Sequence, residues 1–588
     1  MNPRRTTDRL RAGVGRVLER GAGRLLDSET PALGSTWLDR AAEAGWQVTP
    51  ADRQLLRTID RLLADREGPR VAVVTDRAGE RLGRLLAAEQ VHTLDTPVDE
   101  LHASLARLAR YDLVVLDTAD PALRRSMVLR LFPFTKVGGH LVVARLAAGI
   151  SEPGQRLGGY LADLADGVAS DRTRGLRAKH LAALTKAIER VELTGTHAVL
   201  TNRTPAFAKL NEKQVNLVLD QAEGRRGRVL ASRPGGTFEP RAALRENESP
   251  LAGLWMKRYD VPDLFLREYT DVRCTPGQVA AQGATLLPDT FRHIGRPRPG
   301  NRYAPDVVPF FATLKPRAAP TRVLTEPHFY WDSEFRGHFG HAMTEQLSRL
   351  WAFAEAKERF PDLKILMAKN KNRELTGFEV AILEAFGATR EDITFVHEPV
   401  RVERLVAATP MFSQPNFVHP GIKEVWDRLG AHLDAQAPER DYPERFFVAR
   451  RIEKRPCRNA AEVEALFASY GFEIVYPEDY PLAEQARMFR RAEVIGGYAG
   501  SGLFNAMLSG GPKHLVMVCS ESYTAENEWM IAAVMGHRVD VAWCEAEIKM
   551  RKGGPHDVEA FHSPYTFDFD REGVFVKGVL DELGRLPR

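Results

Sequence analysis

Three times along the chain, short runs of Val, Ile, Leu or Phe alternate with stretches whose apolar residues fall at helical spacing. Strand then helix, repeated, builds a parallel sheet covered by helices, so the pattern points to an α/β fold. The first series predicts strands at 70–75, 91–94, 112–116 and 141–144, with helices near 80–88, 100–110 and 121–131. This is a Rossmann-like order. A second series follows Glu268–Val272, whose turns (Thr275-Pro276-Gly277, Leu287-Pro288-Asp289) suggest a small antiparallel entry element. It continues with strands at 323–331, 364–368 and 393–396 and helices at 338–357 and 378–386. The third series places strands at 445–449, 472–476, 493–496, 514–519 and 539–543.

At 588 residues the chain exceeds what one hydrophobic core sustains. The expected layout is a helical segment over 1–69, a Rossmann-like domain over 70–204 and a connector with short helices over 205–264. Two adjacent parallel-sheet halves over 265–435 and 436–588 complete it. With 44% hydrophobic and 27% charged residues and no long apolar stretch, a soluble protein without a transmembrane segment is expected. Net charge is +4 with both signs interspersed, which argues against nucleic acid as a partner. The basic N-terminus lacks the apolar run of a secretory signal. Cys274, Cys457, Cys519 and Cys544 are too scattered for a zinc cluster or a disulfide framework, and a reducing cytoplasm fits them. Residues 4–26 combine arginines with helically spaced Leu and Val. A helix docked on its own domain is the favoured reading, with peripheral contact to an anionic membrane the other.

Tyr111–Asp117 followed by Lys136–Val143 resembles the latter half of class I methyltransferase domains, which implies a methyl-donor site in the first series. The expected Gly-rich turn is replaced by Thr75-Asp76-Arg77-Ala78-Gly79-Glu80, so a degenerate nucleotide fold without cofactor is the preferred expectation.

Two further blocks carry the functional signal. The first is Arg336-Gly337-His338-Phe339-Gly340-His341-Ala342-Met343-Thr344-Glu345 and on to Leu347, Arg349, Leu350 and Trp351. The second runs from Arg445 through Arg450, Arg451, Arg455 and Asn459, then Glu484-Gln485, to Ala499-Gly500-Ser501-Gly502-Leu503-Phe504-Asn505. Together they resemble glycosyltransferase family 61 over roughly residues 265–545. The departure is Ala499, where the family's turn carries a histidine. The resemblance implies an inverting transferase that moves a sugar from a nucleotide-sugar donor to a glycan or other hydroxyl acceptor, a hexosyl- or pentosyltransferase of surface polysaccharide synthesis. It implies the two-halved architecture called GT-B.

His338, His341 and Glu345 are spaced three and four apart, which puts three titratable groups on one helix face and supplies candidates for the base that takes the acceptor's proton. Asp332, Glu334 and Asp306 precede that helix and remain open as alternative bases. Arg450, Arg451, Arg455 and Asn459 follow a parallel strand, and Gly500, Ser501, Gly502 and Asn505 follow another. Guanidinium groups and unhindered amides there can grip a diphosphate, so the expected chemistry needs no metal or cofactor. Asp568-Phe569-Asp570 has the spacing of a cation-binding pair but lies beyond the last strand and carries little weight. Two other readings stand beside this one: methyl transfer by the first series, and a decayed glycan-binding scaffold, to which Ala499 lends support.

Overall fold

The computed structural model describes residues 36–43, 45–76, 81–86, 88, 90–118, 120–146, 161, 164, 165, 168, 184–296, 298–314, 319, 320, 322–369, 374–451, 454–550 and 557–585. The arginine-rich stretch at 4–26 and positions 77–80 of the degenerate turn lie outside them. The chain forms two compact units.

One unit lies within Met1–Arg228, Val279–Thr290 and Gly300–Arg317. Its main sheet contains β1 (Val71–Thr75), β2 (Gln90–Thr93), β3 (Tyr111–Asp117), β4 (Thr135–Val143), β5 (Ile188–Leu193) and β6 (Ala198–Asn202), in the order β2-β1-β3-β4-β6-β5. β1 to β4 are parallel, and β6 is inserted antiparallel between β4 and β5. β1 and β3 are buried along their whole length, as central strands of a parallel sheet covered on both faces must be. One cover is the helix Pro50–Leu63, opened by a capping box in which Thr49 and Asp52 satisfy each other's backbone N–H groups. Leu56, Ile59 and Leu63 on its inner face pack with Val71, Val73 and Val115.

The other unit lies within Val229–Gln278, Phe291–Pro299 and Ala318–Arg588 and holds two large sheets besides two two-stranded ones. The first contains β7 (Leu264–Thr275), β8 (His328–Tyr330), β9 (Lys364–Ala368), β10 (Ile393–Val396) and β11 (Val400–Ala408), in the order β7-β11-β8-β9-β10. β8 pairs in parallel with β11 and β9, and β9 with β10. The entry element is larger than its turns suggested, for β7 runs antiparallel to β11 from Leu266 opposite Ala408 to Cys274 opposite Val400. The run 323–331, expected as one strand, is two short ones, Arg322–Leu324 and β8. Pro327 lies between them and has no N–H to give to a ladder.

The second sheet contains β12 (Arg445–Val448), β13 (Glu473–Val475), β14 (Val494–Tyr498), β15 (His514–Ser520) and β16 (Arg538–Cys544). Its order is β13-β12-β14-β15-β16, every pair parallel. Alternate residues of β12 serve opposite layers: Phe446 and Val448 face the core shared with the first sheet, Phe447 and Ala449 the layer under the helices Ala460–Ser469 and Glu572–Arg585. The shared core is continuous from Phe329 and Trp331 through Leu350 and Trp426 to Leu503 and Trp543.

Residues 205–264 correct the expectation of a connector with short helices. Besides one helix, Glu212–Gln221, they form strands, and Ala243–Glu246 adds a parallel edge to β16. Asn247 exchanges hydrogen bonds with the Trp543 backbone at 2.7 and 3.1 Å, Glu246 accepts from the Trp543 indole at 2.8 Å, and Arg245 pairs with the buried Asp540. Composition concealed this, because an edge strand needs few apolar residues when side-chain polar contacts hold it. Among the described residues no helix is long and apolar enough to cross a membrane.

Candidate active site

In the second sheet the chain leaves β12 toward β13 on one side and later returns to β14 on the other. In an open α/β sheet the crevice for ligands lies at such a reversal, beyond the carboxyl ends of the strands. Arg450 follows β12 and Gly500 follows β14, so both stand there. Arg450 donates to the Ala499 carbonyl at 3.2 Å and to the Arg455 carbonyl at 2.7 Å. A Cβ on Gly500 would lie 3.4 Å from the guanidinium nitrogens of both Arg450 and Arg455, and its φ of +151° also excludes other residues. Arg455 has a φ of +54°, rare for a side chain with a Cβ, and its guanidinium lies 4.4 Å over Tyr523 and 5.1 Å over Phe561. Among the described residues its buried Nε has no hydrogen-bond partner.

The histidine segment follows the carboxyl end of β8. Asp332 anchors it: its carboxylate accepts the Gly277, Gln278 and Ala368 backbone N–H groups at 3.0, 2.8 and 2.9 Å. These bonds make it a brace between strand ends. The expected helix over 338–357 is helical but uneven, with π-helical turns over Ala342–Gln346 and tighter turns over Leu347–Ala352 before regular helix at Phe353–Arg359. Trp331 and Gln346 exchange hydrogen bonds of 2.9 and 3.1 Å that tie it down.

The spacing brought His338, His341 and Glu345 together as expected. His341 Nδ1 lies 3.2 Å from Glu345 Oε1, and the two imidazole rings are 4.7 Å apart. Phe335 stacks on His341 at 4.3 Å. Side-chain exposure is 25% for His341 and 11% for Glu345, so the imidazole is the part solvent can reach. Burial would raise the Glu345 carboxyl, but the hydrogen bond to His341 and the nearby Arg292 charge, 3.4 Å away, outweigh it and hold it below its usual value. Burial, with His341 and Lys454, brings His338 down to about 4, so it is neutral and weakly basic near pH 7.

Gly340 brings the two motifs together. A Cβ there would lie 3.2 Å from Phe504, 3.3 Å from Ser501 and 3.6 Å from the His338 ring. A side chain there would have to push the histidine turn and the glycine turn apart by a few tenths of an ångström.

Other sequence-predicted residues stand elsewhere. Arg451 points to the surface, where it forms a forked ion pair with Asp479 and covers Tyr476 at 4.2 Å. Asn459 holds the Phe567 peptide at both ends, donating at 2.9 Å and accepting at 3.0 Å. Asn505 is buried and donates to Gln485 at 2.6 Å, which ties the Leu503–Leu508 turn to the helix Leu482–Arg491. Gly502 approaches Val448 so closely that a Cβ would lie 2.9 Å away. Asp306 belongs to the other unit, paired with Lys209. In Asp568-Phe569-Asp570 the first carboxylate accepts the Asp570 N–H at 2.8 Å. Among the described residues no cluster of three His, Cys, Asp or Glu could hold a metal ion.

One expectation needs correction: the Gly500 N–H is not open to a phosphate, because it donates to Glu528 Oε1 at 2.6 Å. Sequence reasoning missed Glu528, Tyr523, Arg292 and Lys454. Each is a common surface type in no recognisable pattern, and only the fold brings it in.

Asn459→Ala should therefore act on stability. Losing both bonds to the Phe567 peptide costs about 1–3 kcal/mol, read as a lower midpoint in denaturant unfolding.

No curated protein matches the chain. Among solved structures, the MycE methyltransferase of the mycinamycin biosynthetic pathway is 15% identical, covering 29% of this chain and 53% of its own, with a TM-score of 0.25. The chain thus spans about half the length of that protein. TibC, an iron-containing dodecameric glycosyltransferase from enterotoxigenic E. coli H10407, is 12% identical, covering 48% of this chain and 83% of its own, with a TM-score of 0.23. Residues 339–518, which hold the histidine turn, the arginines and the glycine turn, match the model of the family Glycosyltransferase 61.

Proposed function

We propose that the protein is an inverting glycosyltransferase that uses a nucleotide sugar and places donor and acceptor on opposite sides of the contact at Gly340. The observation that carries this reading is that contact, which makes one site of an imidazole–carboxylate pair and a pair of arginines. Such a pairing suits displacement at an anomeric carbon. In a GT-B arrangement the second sheet would hold the donor and the first the acceptor.

The roles follow from chemistry. Glu345 accepts the His341 Nδ1 proton, which leaves the Nε2 lone pair for the acceptor hydroxyl. His341 Nε2 takes the acceptor hydroxyl's proton as that oxygen attacks the anomeric carbon and the bond to the diphosphate breaks. The departing nucleoside diphosphate gains negative charge, which Arg450 and Arg455 meet in place. His338, held near 4, is a weak base and suits a hydrogen-bonding role. Assembly of a cell-surface polysaccharide by a cytoplasmic enzyme is the setting this reading favours.

Incubating the protein with a panel of nucleotide sugars and measuring released nucleotide tests the reading. Slow hydrolysis of at least one donor is expected, accelerated by a hydroxyl acceptor. If every donor survives intact and none binds, the protein is no transferase of this kind. A parallel incubation with a labelled methyl donor should transfer no label.

A further inference from the structure

Glu528 is the second residue of the helix Asn527–Met535 and is almost wholly buried, yet among the described residues it makes hydrogen bonds and no ion pair. Its Oε1 accepts the Gly500 N–H at 2.6 Å, and both its oxygens lie within 3.3 Å of the Tyr523 hydroxyl. Tyr523 in turn lies under the Arg455 guanidinium. The carboxyl group thus sits directly behind the turn and arginines assigned to the donor diphosphate, on the amide that a phosphate oxygen would otherwise claim.

We propose that Glu528 is the internal counter-anion of the donor site, a positioning residue whose carboxylate offsets Arg450 and Arg455 when the site is empty and takes up a proton when a diphosphate arrives. The inference rests on the donor reading above. Two negative groups cannot share one pair of guanidinium ions without repulsion, and in a buried site protonation is the cheaper relief. The proton comes from solvent, and the neutral acid still accepts from Gly500 through its carbonyl oxygen while its hydroxyl can donate to Tyr523.

Glu526, at the N-cap of the same helix, is also raised to about 7 by burial, but Glu528 is the carboxyl bonded to the Gly500 amide. Facing it are Arg455 from the loop after β12, Cys519 from β15, Tyr523 beyond β15 and the Gly500 amide beyond β14. Burial raises Cys519 and Tyr523 well above their ordinary values, so both stay neutral. Burial also lifts Glu528 to about 7, against the pull of the Gly500 amide and Arg455. A bound diphosphate lifts it further, so donor binding should strengthen as pH falls through neutrality.

Nucleotide sugars are the right probe, since their doubly esterified diphosphate does not change charge over this range. Calorimetric titration of the full chain with the donor panel, in two buffers of different ionisation enthalpy, should show proton uptake near pH 7 and affinity about tenfold tighter at about pH 6 than at about pH 8.5. Glu528→Gln should bind at least as tightly, with the pH dependence gone. Tight binding with no proton uptake, or an unchanged slope in Glu528→Gln, overturns the inference and leaves the donor reading intact. Absence of binding throughout overturns both. Should the Gln variant fail to fold, proton uptake by the unmodified protein decides alone.

Discussion

Replacing His341 by alanine should lower kcat about 10²–10⁴-fold, the range a positioned general base contributes, and leave donor affinity unchanged. The size of the effect follows from how the imidazole is held. Phe335 stacks on one face, Glu345 takes Nδ1, and the helix is tied to Trp331, so the ring is oriented before an acceptor arrives. Water cannot substitute for a base placed in advance. Steady-state kinetics and donor titration of the same preparation separate the two quantities. Turnover within a few-fold of the unmodified protein would move the base elsewhere, with Glu345 next in line.

The second large effect belongs to Arg455. Its alanine variant should weaken donor binding by about 1.5–3 kcal/mol, the worth of hydrogen bonds to a charged partner, a loss of roughly tenfold to a hundredfold or more in Kd. Arg455→Lys should recover only part, because an ammonium carries the charge without the planar fork or the aromatic seating over Tyr523 and Phe561. Arg451→Ala provides the internal comparison: its guanidinium is engaged with Asp479 at the surface, where such pairs contribute little, so donor affinity should stay as it was. Equal losses in the two alanine variants would mean that the arginines act through general surface charge.

The sequence was most legible where backbone geometry does the work. Central parallel strands announce themselves as unbroken apolar runs, and strand 364–368 was located to the residue, as was the edge strand 393–396. The meeting of His341 and Glu345 was also readable, because helical spacing determines which neighbours share a face, whereas His338 is an extended residue just before the helix. Side-chain destinations across the chain were not. Arg450, Arg451 and Arg455 look alike in the sequence, yet two flank Gly500 and the third reaches Asp479. Asn459 has a donor and an acceptor to offer any ligand, and its nearest partner turned out to be a peptide more than a hundred positions later. Glu528 was invisible for the opposite reason, since nothing in Asn527-Glu528-Trp529 distinguishes a buried carboxyl from a solvated one.

The edge strand Ala243–Glu246 bears on where this protein could be cut. The matched family stretch opens at residue 339, almost a hundred positions after that strand, yet β16 depends on it for a hydrogen-bonded flank and for a counter-cation to Asp540. A piece begun at residue 339 and continued past β16 would leave that edge of the ladder unpaired and Asp540 held only by His514 and Arg538. The cooperative body is therefore longer than the recognisable one, and its first indispensable residues come from what reads as filler.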